Sequence, residues 1–193
     1  ACFVDERAII ASFMVIIWWV ISINDFKLLK TKDLIMPNKY VLSIFITLFL
    51  VLTARVVLTN IFDLKSLVEL KDSGFVALKL QLNTGFFGLF SGIEFFWLLI
   101  PIGALMLLQY KQHLLLALYL IVTVAITLTT FSVHDQSRSI SYIFPMIFIA
   151  LNLTYRDFSK LALRKLLLTI VFLCFLFGTY NVVGPKIYWV FPL

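Results

Sequence analysis

The sequence predicts an all-α fold: a polytopic transmembrane helical bundle of about six spans, with an amphipathic interfacial segment at 62–84. Three observations lead there. Of 193 residues, 62% are hydrophobic and only 13% charged, against about 25% charged in a soluble domain. The apolar residues come in long runs, such as Leu114 to Leu128, not in the strict alternation that barrel strands need. Inside lipid every backbone polar group must be satisfied within the protein, and long runs achieve that as helices.

Six apolar runs lie near 8–24, 40–61, 85–108, 113–133, 139–155 and 165–184. Each is long enough to cross a hydrocarbon core at about 1.5 Å of rise per residue. Together they make residues 1–193 one transmembrane domain. The first run follows Asp5, Glu6 and Arg7, not a basic leader with a small-residue cleavage site, so it is expected as a retained span. The first residue is Ala, so the start is processed or the chain is part of a longer one. Pro101 and Pro145 are expected to kink spans three and five. Between spans two and three, Lys65 and Glu69 sit one helical turn apart among apolar neighbours, and Ser73-Gly74 interrupts the pattern; the segment is read as helical material in the outer interface. Trp18, Trp19, Tyr40, Tyr110, Tyr155, Tyr180, Tyr188 and Trp189 near span ends form an interfacial aromatic belt.

The net charge of +6 reflects Lys and Arg in short loops, which set topology, and no nucleic-acid partner is expected. Lys27, Lys30, Lys32, Lys39, Lys111, Arg156, Lys160, Arg164 and Lys165 fall on one side; Arg7, Lys65, Lys71, Lys79, Arg138 and Lys186 fall on the other. The positive-inside rule then puts both termini outside. Cys2 and Cys174 form no CxxC or Cys/His cluster; Cys174 reads as a small hydrophobe, and neither a disulfide framework nor a zinc site is expected.

Ionisable groups at membrane depth cost about 2.5–3.5 kcal/mol each on insertion scales, so they are the best pointers to function. Arg55 in span two either snorkels to the outer interface or faces an anionic headgroup or buried acid. Glu94 in span three cannot snorkel; it is paired, with Arg55 a plausible partner, or protonated. Gly85, Gly88 and Gly92 precede it as a smooth face for another helix. His134-Asp135-Gln136-Ser137-Arg138 is the densest polar group. Asp135 is a candidate base or metal ligand, Arg138 a forked phosphate donor and His134 a titrating group near neutrality; the bland alternative is a polar turn that caps span five. Asp5 and Glu6 are further candidates for a base or a divalent cation, with Arg7 beside them; a solvated start explains them as well. No other cofactor is implied. All of these fall in the outer half under one topology. There is no GxxxxGK[ST] loop, GxSxG elbow or HExxH, which argues against an ATPase, an elbow-type hydrolase or a zinc protease.

The stretch HDQSRSISYIFP at 134–145, through Asp135, Ser137, Arg138, Phe144 and Pro145, resembles bacterial polytopic membrane glycosyltransferases that use polyprenyl-phosphate-linked sugars. The acidic start at Asp5-Glu6-Arg7 looks like the outer acidic loop of such enzymes, whose members are longer and have more spans. The resemblance implies sugar transfer from a lipid-linked donor in envelope polysaccharide assembly, with an outer carboxylate as base and basic residues on the phosphate. Two other readings stand beside it: a small-molecule transporter or its membrane-embedded binding subunit, from Arg55 and Glu94 at depth, and a membrane scaffold whose helix partners dock through Gly85, Gly88 and Gly92.

Overall fold

The structure, a computed structural model, describes residues 7–24, 39–62, 83–131, 136–177, 179–183 and 186–190. The helices are α1 (Arg7–Asn24), α2 (Lys39–Phe62), α3 (Gly85–Ile93), α4 (Leu99–Gln109), α5 (His113–Phe131), α6 (Gln136–Ile140), α7 (Phe144–Asp157) and α8 (Lys160–Leu176). A 3-10 turn, Glu94–Leu98, joins α3 to α4, and another, Ser141–Ile143, joins α6 to α7. Three stretches are long and apolar enough to cross a membrane: Leu42–Phe62, Gly85–Gln109 and His113–Phe131; Ile10–Ser22 is a shorter apolar helix. These mark the chain as a helical membrane protein. Nearly all of the expected amphipathic segment at 62–84 lies outside the described residues.

The all-α expectation is corrected at the carboxy-terminal side. The last apolar run is helical only as far as Leu176, and strand β1 (Thr179–Val183) then pairs antiparallel with β2 (Lys186–Val190), setting Tyr180 opposite Trp189 and Val182 opposite Ile187. The physical reason lies in the residues. Thr179, Val182, Val183, Ile187 and Val190 are β-branched, Tyr180, Tyr188 and Trp189 are aromatic, and Gly184-Pro185 stands between the two halves.

The core forms where α4 packs on α7 and α5, and α1 on α5 and α7. Met14, Ile17 and Ile21, three and four residues apart, give α1 one buried face. Tyr119 is fully buried, and its hydroxyl donates to the Ile100 carbonyl at 3.1 Å. Helix α2 lies outside this core against α1, with Phe13 and Phe45 edge to face at 6.5 Å. Phe49, Ile61, Phe86, Ile121 and Phe175 are exposed, as suits side chains whose solvent is lipid. Threonines inside the helices satisfy themselves: Thr123, Thr127, Thr130 and Thr154 each donate to the carbonyl four residues back, at 2.7–2.9 Å.

Both prolines sit just after a break. Pro101 is in the first turn of α4, behind the 3-10 turn at 94–98, and Pro145 is the second residue of α7. In a first turn the missing N–H has no partner to lose.

At the end of the bundle opposite the hairpin, α4 stops in a Schellman turn. Gln112 N–H bonds to the Leu107 carbonyl and Lys111 N–H to that of Leu108, both at 3.0 Å, with Lys111 in the left-handed region at φ 57°. Nearby, Arg156 reaches the Ile21 carbonyl at 3.5 Å, and the Tyr110 hydroxyl donates to Asp157. That hydrogen bond, followed by partial burial, raises the Tyr110 pKa above its ordinary 10.0. A raised folded-state pKa gives a contribution fully present below the unfolded value and lost as pH climbs through the folded one. Tyr110→Phe should therefore flatten the alkaline limb of a thermal-unfolding profile above pH 10. An unchanged limb would show that the bond contributes nothing.

Candidate functional site

The end of the bundle that carries the hairpin gathers the start of α3, the end of α5, α6 and both strands. The glycine face builds it. A Cβ at Gly85 would overlap the Phe131 ring, one at Gly88 the Gln136 side chain, and one at Gly92 Ile140 Cγ2. Only hydrogen at these positions lets α6 lie against α3. The face expected to receive a partner helix is thus filled by the chain's own α6 and the end of α5.

A hydroxyl pair locks that contact. Ser91 and Ser137 share a hydrogen bond of 2.8 Å, Ser91 is 3.0 Å from the Gly88 carbonyl, and Ser137 Oγ accepts from Val182 N–H at 2.8 Å. Each hydroxyl has one proton, so all three bonds are satisfied only if Ser137 donates to Ser91 and Ser91 to Gly88. The chain of bonds runs from the hairpin through α6 to α3. Val182 and Gln136 are buried beside it. Aromatic contacts reinforce the same joint: Trp189 to Tyr180 at 4.7 Å and Tyr180 to Phe87 at 5.6 Å.

Glu94 stands directly below, at the break between α3 and the 3-10 turn. Its φ of 46° and ψ of −129° lie in a region that costs a residue other than glycine of order 1–3 kcal/mol. Glu94 N–H still bonds to the Phe90 carbonyl, and the Trp97 indole donates to the Leu89 carbonyl across the break at 2.7 Å. The carboxylate is half-buried and lies within hydrogen-bonding reach of the Cys174 thiol on α8. A strip of rings runs beside it: Phe86 stacks on Phe90, Phe90 meets Phe95 at 5.2 Å, and Phe95 meets Phe177 at 5.0 Å.

Of the ionisable residues the sequence offers as candidates for a site, Glu94 alone has a described side chain. Arg7 and Arg138 lie in α1 and α6, and Arg55 in α2, with their side chains outside the description; Asp5, Glu6, His134 and Asp135 lie outside the described residues altogether. The expected pairing of Arg55 with Glu94 therefore falls outside the described side chains. Asp135 immediately precedes the first residue of α6, so the helix that follows it is the one Ser137 fastens to α3 and the hairpin. Sequence reasoning passed over Ser91 and took Cys174 for packing. The signal for Ser91 was its place between Gly88 and Gly92, in a stripe where a hydroxyl can meet another helix. Among the described residues, no group of three or more His, Cys, Asp and Glu is placed to hold a metal ion. No family model, curated protein or solved structure matches this chain.

Proposed function

We propose that the chain is a six-span membrane protein of a bacterial plasma membrane, with both termini outside, that transfers or processes a lipid-linked sugar or phosphate at the outer face. The six-span count adds α1, α6–α7 and α8 to the three longest apolar stretches. The observation that carries the reading is the Ser137 hydroxyl, bonded at once to Ser91 and to Val182 N–H. It fastens the helix that begins one residue after Asp135, and that bears Arg138, to the α3 segment that leads into Glu94. The same α3 segment starts an aromatic strip, Phe86 to Phe90 and on to Phe95 and Phe177, which suits a substrate with a phosphate-sugar head and a long apolar tail. In this reading Asp135 serves as the base, Arg138 as the phosphate ligand, and Asp5, Glu6, Arg7, His134 and Arg55 are the next candidates by sequence.

The test is turnover of a polyprenyl-diphosphate sugar by the full chain in lipid nanodiscs. Asp135→Asn and Arg138→Gln should each lower turnover at least tenfold with helicity unchanged. Equal turnover by wild type and both variants, or none by the wild type, would rule the reading out.

The break at Glu94 favours a second reading, a transporter or its binding subunit, because discontinuous membrane helices often frame transport sites. Thermal stabilisation of the wild-type chain by a metal ion, vitamin or free sugar, lost in Glu94→Gln, would support it. A flat response would count against it.

A further inference from the structure

The opposite end of the bundle carries a second feature that the proposed reaction does not use. A groove of about 340 Å³ runs between α7 and α8. Tyr155, Lys160 and Arg164 line its polar part, and Leu167, Leu168 and Val171 its apolar part, where Leu168 and Val171 are exposed. Lys160, Arg164, Leu167 and Val171 recur at four- and three-residue spacing, which is one face of a helix. At about 1.5 Å of rise per residue that face is roughly 16 Å long. The stripe therefore changes once along its length, from cationic to apolar.

Two observations say the cations are placed for a ligand. The first is where they sit. Lys160, Arg164 and Lys165 occupy the first two turns of α8, the end at which the helix dipole disfavours positive charge. Ser159 caps that end by accepting from Ala162 N–H at 3.2 Å, so the helix start needs nothing from them. The second is their company. Lys160 and Arg164 are exposed and make no ion pair among the described residues. Tyr155, also exposed, adds a hydroxyl at the same level. An exposed cation pair beside an apolar stripe, at the start of a helix that the six-span reading places in the membrane, is complementary to one kind of molecule: a lipid with an anionic head and an acyl tail.

We infer that the groove between α7 and α8 is a binding site for an anionic glycerophospholipid. Lys160 and Arg164 hold its phosphate, Tyr155 donates to it, and Leu167, Leu168 and Val171 take one acyl chain. Arg164 presents a planar fork to the phosphate while Lys160 acts as a point charge, so the two are not interchangeable in strength. The site lies on the side where basic loops concentrate, and so takes its lipid from the inner leaflet. It does not depend on the reaction assigned to the hairpin end.

The experiment is native mass spectrometry of the full chain in a neutral detergent, titrated with phosphatidylglycerol and, separately, phosphatidylcholine of the same chains. The wild type should retain phosphatidylglycerol at least tenfold better. The K160Q/R164Q double variant should lose that preference, and K160R/R164K should keep most of it. Added salt should weaken retention of phosphatidylglycerol and leave phosphatidylcholine unaffected. Equal retention of the two lipids by the wild type would overturn the assignment, and that comparison needs no variant to fold. So would a preference that persists in the double glutamine variant. Displacement of phosphatidylglycerol by an equimolar polyprenyl phosphate would overturn the glycerophospholipid identity. A dimer that forms only when the groove is lipid-free would instead make it a contact between copies of the chain.

Discussion

Replacing Gly92 with valine should destabilise the fold by about 1–3 kcal/mol, the usual cost of forcing extra carbon into a packed contact. The new Cβ would overlap Ile140 Cγ2 and stand 3.2 Å from the Ser137 carbonyl oxygen. Ile140 is fully buried and has little room to turn away. The carbonyl is backbone and cannot yield without moving α6. The substitution should therefore push α6 off α3 and loosen the hydroxyl bridge at the same time. Reversible unfolding of the purified chain in mixed micelles measures the loss. Ile140→Ala placed on the Gly92→Val background should recover part of it, because the two side chains compete for one space and their effects cannot be additive. Strict additivity would mean that the helices do not meet as described.

Ser137→Ala should act on the hairpin first. It removes the bond to Ser91 and leaves the Val182 amide, in a fully buried residue, with no acceptor at that position. Stranding a buried donor costs about 1–3 kcal/mol. That cost falls on a two-stranded sheet, which has marginal stability of its own. Hydrogen exchange across Thr179–Val183 and Lys186–Val190 should accelerate while α4 and α5 stay protected. Ser91→Ala should do less, since Ser137 can still accept from Val182. Unchanged exchange in Ser137→Ala, or equal effects of the two variants, would contradict a bond order that runs from Val182 through Ser137 and Ser91 to Gly88.

The long helices were legible because lipid makes hydropathy nearly sufficient. The run at 85–108 lies on helical structure from Gly85 to Gln109, and the run at 113–133 contains α5, His113–Phe131. The hairpin was not, because Val182 and Val183 carry the apolar run on past Leu176 and hydropathy does not distinguish β-branched residues in a strand from the same residues in a span. The break at Glu94 was marked in sequence only as a costly charge; nothing in a residue's identity announces a positive φ. The glycine stripe correctly signalled close helix approach, but composition does not say which helix approaches. That answer required Ser91 and Ser137, 46 residues apart, to be brought together by the turn at 110–112 and the fold around it.

That turn has a consequence for how the chain is made. The Schellman bonds at Gln112 and Lys111 close α4 onto α5 within a handful of residues, so the two stretches from Gly85 to Gln109 and from His113 to Phe131 form a local helical hairpin. Contacts this close in sequence form before distant ones. The hairpin can therefore leave the ribosome and partition into the bilayer as one paired unit, its return leg already aimed, and it offers α1 and α7 a finished surface on which to assemble.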